Sequence, residues 1–390
     1  MDEGHLCWKR WRKQIVTMIL VFDTNIIHED FHLYGGRITK LCSAAQKLGY
    51  DLMIPDVVVD ETVNQYRKKL LDNYSGYAVV MKLVARTQGA DDKLDKDAFI
   101  SDKVKEYDAY LRKRLAELKI HVIPYPTVDV KALVSKDLNV TKPFKETKEG
   151  NIGYRDAIIW ESIKSICQPP RTLTEDPQIE LLTENTRDFA GPDNALHTDL
   201  VAEVKAAGFA ENVVALIPNV NEFFKNRIDP ELEELEQIKE DLIKTGKFNR
   251  FDVNEETSSV LDKDYITEII NDSDFDSGQR YYLPGYMEDP TINYINDPVI
   301  EDITVRRLSD HTALVEVQAR ATVEMDFFVY KPDYYIYEDE RRFSIMDEDW
   351  NEYYMWCEGS VDVCTYLSFR TTAKLGKILS VEVQVTEVEV

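Results

Sequence analysis

VFDTNII, residues 21–27, sets an ionisable carboxylate at the end of a run that needs water on neither face. Met18, Ile19, Leu20, Val21 and Phe22 read as a strand buried on both sides, because a short unbroken apolar run is the mark of a doubly covered strand. Asp23 ends that run, and Thr24 and Asn25 follow with two more side chains that bind through oxygen. An acid there is either a cap for the next turn or a functional group held beside the core.

Outward from this strand the chain alternates between two periods. Residues 38–50 have helical spacing, and 51–55 form a short strand stopped by Pro55. Residues 57–87 read as a long helix or helix pair and 97–119 as another helix. Strands at 120–126, 179–185 and 212–219 then alternate with helices at 153–167 and 199–209. Such alternation predicts an α/β domain with a parallel sheet covered by helices on both faces, whose functional groups collect at the carboxyl ends of the strands. Asp23 lies at such an end.

The second half has another character. Residues 1–228 hold 32 Lys and Arg against 34 Asp and Glu, whereas 229–390 hold 15 against 38. The overall charge of −25 therefore sits almost wholly in the second part, at −23. That shift predicts three segments: an α/β domain over 17–228, an acidic helical linker over 229–260, and an acidic domain over 261–390. Residues 245–300 read as loop with short elements. Alternating Val315, Val317, Ala319, Ala321, Val323, Met325, Phe327 and Val329, and again Leu379 to Val385, predict a mainly antiparallel β domain with one wet face. Five scattered cysteines without a CxxC point to a reducing cytoplasm rather than a disulfide framework or zinc cage. No run approaches the ~18 apolar residues of a membrane span. The basic cluster Lys9, Arg10, Arg12 and Lys13 is followed by an acid and a strand, not by a signal-peptide cleavage site.

Four acids recur at equivalent places in the first half: Asp23, Glu61 in DETVNQY, Asp156 in GYRDAIIW, and Asp188 in LLTENTRDF. Singly, each has an ordinary role as a turn, a cap or an answer to a helix dipole. Together they would repel one another unless a cation neutralised them. Mg2+ or Mn2+ is the economical cation, since these ions take hard oxygen ligands and can lower the pKa of an attacking water. Asn25, Thr183 and Asn185 suit support of the carboxylates from behind. Asp60 adjoins Glu61, but neighbouring helical residues point about 100° apart, so one of the two faces the site.

This ordered set (D-x-N, then E, then R-D-A-x-x-W, then T-x-N-x-x-D-F) resembles the PIN-domain nucleases over roughly residues 17–220. TENTRDF is similar to the motif of toxin-type PIN ribonucleases. TKPFKETKEGNIGYRDAIIWES looks like a larger PIN-like group in which K-P-F precedes G-Y-R-D-A-x-x-W. The resemblance implies a Rossmann-like PIN fold and a metal-dependent endonuclease, usually on RNA. It carries Asp23, Glu61, Asp156 and Asp188 into metal and catalytic roles. The position after Thr183 departs from many PIN proteins in being Asn185, so the fourth ligand is Asp188, Asn185 or neither. The helical insertion at 62–119 is long for a minimal PIN domain.

A nuclease must also hold phosphate. Lys142, Lys145, Lys148 and Arg155 flank Asp156 in sequence and are candidates for the RNA backbone, with Lys145 and Arg155 foremost. DNA remains an alternative substrate, and a catalytically silent PIN scaffold acting through its acidic C-terminal domain an alternative role. That domain could contact a protein partner or autoinhibit the first, and a homodimer is compatible with everything above. A setting in a toxin, defence or RNA-processing system fits the motif. Asp272 opens DSDFDSG, which lacks the Gly and Glu of an EF-hand at its sixth and twelfth positions. DEDWNEYYMW, 347–356, reads as a sheet edge or loop, with a partner surface as its alternative.

Overall fold

The computed structural model describes residues 18–27, 30–88, 95–168, 177–262, 266, 287–336 and 343–389. DSDFDSG lies outside them. The chain divides into two compact units, Met1–Leu232 and Glu233–Val390.

In the first unit five strands form one parallel sheet: β1 (Ile19–Phe22), β2 (Asp51–Pro55), β3 (Ile120–Ile123), β6 (Ile179–Leu182) and β7 (Val214–Ile217). Their order is β3-β2-β1-β6-β7. The chain therefore steps outward from β1 through β2 to β3, then returns to the other side of β1. This reversal puts a crevice between β1 and β6 at their carboxyl ends, where open α/β sheets hold ligands. All four residues of β1 are buried, as the unbroken apolar run requires.

Helices connect the strands: α1 (Thr24–Ile27), α2 (Gly36–Lys47), α3 (Asp56–Gln88), α4 (Lys96–Glu117), α5 (Val130–Leu138), α6 (Tyr154–Ile166), α7 (Thr186–Phe189), α8 (Thr198–Ala206) and α9 (Val220–Phe223). A small hairpin of β4 (Lys145–Thr147) and β5 (Gly150–Ile152) precedes α6. The stretch read as a helix or helix pair is a single 33-residue α3, about 50 Å long. Its partner α4 begins where Asp95 accepts from the Asp97 and Ala98 amides, a cap that satisfies two orphan donors. α4 buries Ile100, Tyr107, Leu111 and Leu115 along one face.

The same helix braces the loop that follows Asp23. Tyr107 donates to the Phe31 carbonyl at 3.1 Å, Tyr110 to that of His32 at 2.6 Å, and Arg114 to that of Leu33 at 3.1 Å. Tyr66 stacks on Tyr107 at 4.0 Å and meets Phe31 edge-on, so its ring belongs to this aromatic brace.

In the second unit α10 (Asp229–Thr245), which begins in the first, buries Leu235, Ile238 and Leu242. β8 (Lys247–Phe248), β9 (Phe251–Asp252) and α11 (Val253–Val260) follow. A six-stranded antiparallel sheet is built from β10 (Glu288–Ile295), β11 (Val299–Arg307), β12 (Ala313–Tyr330), β13 (Phe343–Asp347), β14 (Tyr354–Thr371) and β15 (Ile378–Glu389). A short α12 (Lys331–Ile336) follows β12. The odd-numbered residues of β12 are buried without exception, the one-sided alternation visible in the sequence. Residues 288–295 form a full strand and 299–307 another that starts at the end of the stretch 245–300, read from sequence as loop with short elements. Pro290 and register shifts at 288/291, 292/294 and 300/302 break their alternation, which is how sheet edges hide from pattern reading. No helix among the described residues is long and apolar enough to cross a membrane.

Candidate functional site

The acids gather at the crevice between β1 and β6. Asp23 leaves β1 with its amide still bonded to the Leu182 carbonyl of β6 at 3.1 Å. That bond holds the residue in register with Thr183, whose hydroxyl donates to Asp23 Oδ2 at 2.5 Å. The Thr24 amide donates to Asp23 Oδ1 at 2.6 Å, and Asn25 Nδ2 to Oδ2 at 3.2 Å. Asn25 also meets Thr183 at 3.2 Å and accepts from the Glu184 amide. Asp23 is 4% exposed. Burial pushes its carboxyl up, the hydrogen bonds from Thr183 and Thr24 oppose this, and the charges of Glu61 and Asp188 add to the rise.

Glu61 reaches the same place from the second turn of α3. Its Oε2 accepts from the Thr24 hydroxyl at 2.9 Å, and Oε1 pairs with Arg155. Asp60, one residue before, points elsewhere: it accepts from Tyr125 at 2.7 Å and faces Arg112. Asp188, in α7, is 1% exposed, pairs with Lys145 Nζ at 2.5 Å and accepts from Asn185 Nδ2. Asn185 Nδ2 also lies 3.5 Å from Asp156 Oδ1, so one neutral amide stands between two carboxylates. Asp156 sits in the first turn of α6. Burial, then the charges of Asp188 and Asp23, push its carboxyl up to about 7, with Lys145 pulling the other way and Glu61 adding to the rise.

The basic candidates separate. Lys145 and Arg155 bond directly to acids of the cluster. Lys142 is tied instead to the Arg187 carbonyl at 2.5 Å. Lys148 is exposed at the turn of the β4–β5 hairpin and bonds to none of the acids. Two contacts escaped the sequence reading. The Thr24 hydroxyl holds Glu61, signalled only by its place beside Asp23. Arg37 pairs with Glu184 at 3.0 Å, next to Asn185, and nothing local marks it.

Gly153 fits the hairpin to α6. Its φ of +131° is one L side chains rarely adopt, and a Cβ there would lie 2.7 Å from the Pro143 carbonyl oxygen and 2.9 Å from Phe144 Cα. Both obstacles are backbone, so neither can swing aside. Gly153→Ala is expected to cost about 1–3 kcal/mol of stability and to lower any activity that depends on Lys145 and Arg155. Denaturant unfolding beside a cleavage assay checks both effects, and an unaltered variant would contradict the close packing.

Four carboxylates thus stand against two cations. Among the described residues no group of three or more His, Cys, Asp or Glu is gathered as a ready metal site; the carboxylates are held by Thr183, Thr24, Asn185, Lys145 and Arg155. The donor set nevertheless fits a hard divalent ion in its chemistry, being all oxygen, largely desolvated and short of positive charge. No curated protein and no solved structure matches the chain. A family model of the PIN domain matches residues 20–189, a span that starts in β1, ends with α7 and contains all four acids. Residues 20–189 of the first unit thus form a PIN-like domain, a nuclease-type fold.

Proposed function

We propose that the PIN domain is a metal-dependent endoribonuclease acting on single-stranded RNA, with Asp23, Glu61, Asp156 and Asp188 holding Mg2+ or Mn2+. The observation that carries this reading is the excess of carboxylate over cation at the crevice between β1 and β6. A bound divalent ion would offset that excess, lower the pKa of an attacking water and stabilise charge developing on a phosphodiester.

The chain's own residues do the positioning. Thr183, Asn25 and the Thr24 amide fix the rotation of the Asp23 carboxylate. Asn185 steadies Asp188. Lys145 and Arg155 each hold one acid, and each can exchange it for a phosphate oxygen when a strand arrives. Asp156, with its carboxyl near 7, can hold or release a proton at neutral pH. RNA is favoured over DNA by the resemblance of TENTRDF to toxin-type ribonucleases. The four described cysteines are free and buried, which accords with a reducing cytoplasm.

The test offers the full chain matched single-stranded RNA and DNA oligonucleotides with Mg2+ or Mn2+ and sequences the product ends. RNA is expected to be cut by the wild type, and to survive both Asp23→Asn and a chelator. Cleavage by a folded Asp23→Asn variant at the wild-type rate sinks the reading. So does the absence of calorimetric Mg2+ and Mn2+ binding at millimolar ion, which would favour the silent scaffold.

A further inference from the structure

The second unit carries a surface that the nuclease reading leaves unused. β12 and β14 pair from Ala313 opposite Thr371 to Tyr330 opposite Tyr354. Directly opposed residues share a face, so with the odd-numbered side chains buried, the even-numbered ones form the outer face. Towards one end of that face Phe328 stands opposite Trp356. Trp350 folds over both from the turn before β14, its ring 5.8 Å from each. It is still 52% exposed.

On the neighbouring rung Asp326 faces Glu358. Like charges directly opposed weaken a ladder. Among the described residues Asn293 donates to Asp326 at 2.7 Å, and no Lys or Arg pairs with either acid. Aromatic faces beside carboxylates attract cations twice over, through the ring quadrupole and through charge. The net −23 of residues 229–390 repels nucleic acid from the same surface.

We propose that this face docks a lysine- and arginine-rich segment of another protein, with cationic heads between Asp326 and Glu358 and a guanidinium lying over Trp350. A flat guanidinium suits the ring face better than an ammonium does. The docking is independent of what the PIN domain cuts.

The test follows the anisotropy of a fluorescein-labelled peptide of alternating arginine and glycine as the full chain is added, across a salt series. Saturable binding is expected, weakened about fivefold by Trp350→Ser, a change that leaves net charge untouched. Asp326→Asn with Glu358→Gln is expected to weaken binding and flatten its salt dependence. That double variant relieves a repulsion, so its folding is not at risk. Equal affinity in wild type and Trp350→Ser overturns the proposal, because binding would then be general charge attraction. No binding also overturns it, as does self-association of the full chain that Trp350→Ser abolishes, which would make a second copy the occupant.

Discussion

Asp156→Asn is expected to abolish cleavage and, in metal-free buffer, to make the protein more stable than the wild type at neutral pH. Loss of activity should exceed the ~10–100-fold that removing an outer partner of a metal ligand brings. The gain in stability follows from the cluster: Asp156 is crowded by Asp188, Asp23 and Glu61, and its carboxyl stands near 7 against an ordinary 3.8. Between those two values the folded chain holds a proton that the unfolded chain has released. Stability therefore falls as pH rises through that window. Asparagine carries no charge and escapes the loss. Thermal melts from pH 4 to 8, with and without Mn2+, check this. The wild type should lose stability with rising pH and regain it with metal, and the variant, which keeps the raised carboxyl of Asp23, should do both to a smaller extent. A variant that melts lower than the wild type at pH 7 without metal would contradict the crowding.

The other large effect lies at the opposite end of β6. Glu180 is 3% exposed within the sheet. Its charge is met by Arg227 at 3.2 Å, which also bonds the Tyr50 hydroxyl at 3.0 Å and lies 3.8 Å from Glu231. Arg227→Met is expected to cost about 3–5 kcal/mol, the usual consequence of stranding a buried charge. Adding Glu180→Gln should return most of that loss, because the penalty belongs to the stranded charge and not to the missing contact. Urea unfolding of the single and double variants measures the coupling. A single variant within 1 kcal/mol of wild type would show that Glu180 is served well enough by other groups.

Much of this architecture is legible in one dimension, and the missing parts share a physical cause. The first unit announces its parallel sheet through short apolar strands, and the even alternation of residues 315–329 announces the second sheet. Strand order is silent, because nothing in β6 records that it lies beside β1. The acids could be singled out because each follows or precedes apolar anchors within its own segment. Their pairings could not: Thr24 and Glu61 are 37 positions apart, Lys145 and Asp188 43, Arg155 and Glu61 94. Lys142 and Lys148 resembled Lys145 in sequence, and only the hairpin's fold sends one of the three to an acid. In β14, the sequence shows no clean alternation near Gly359, where the burial pattern also breaks. A Cβ there would crowd Phe327 and Phe343, at 3.1 and 3.3 Å.

The brace from α4 has a consequence for how the protein moves. Residues 30–35, just beyond Asp23 and α1, have little regular structure of their own, yet three successive carbonyls are held by side chains from neighbouring turns of one 22-residue helix. Their local unfolding free energy is therefore not that of a loop. To loosen, the segment must break away from a helix that also buries Ile100, Leu111 and Leu115, so segment and helix open as a single cooperative unit. The long insertion thus makes the ground beside Asp23 slow to yield.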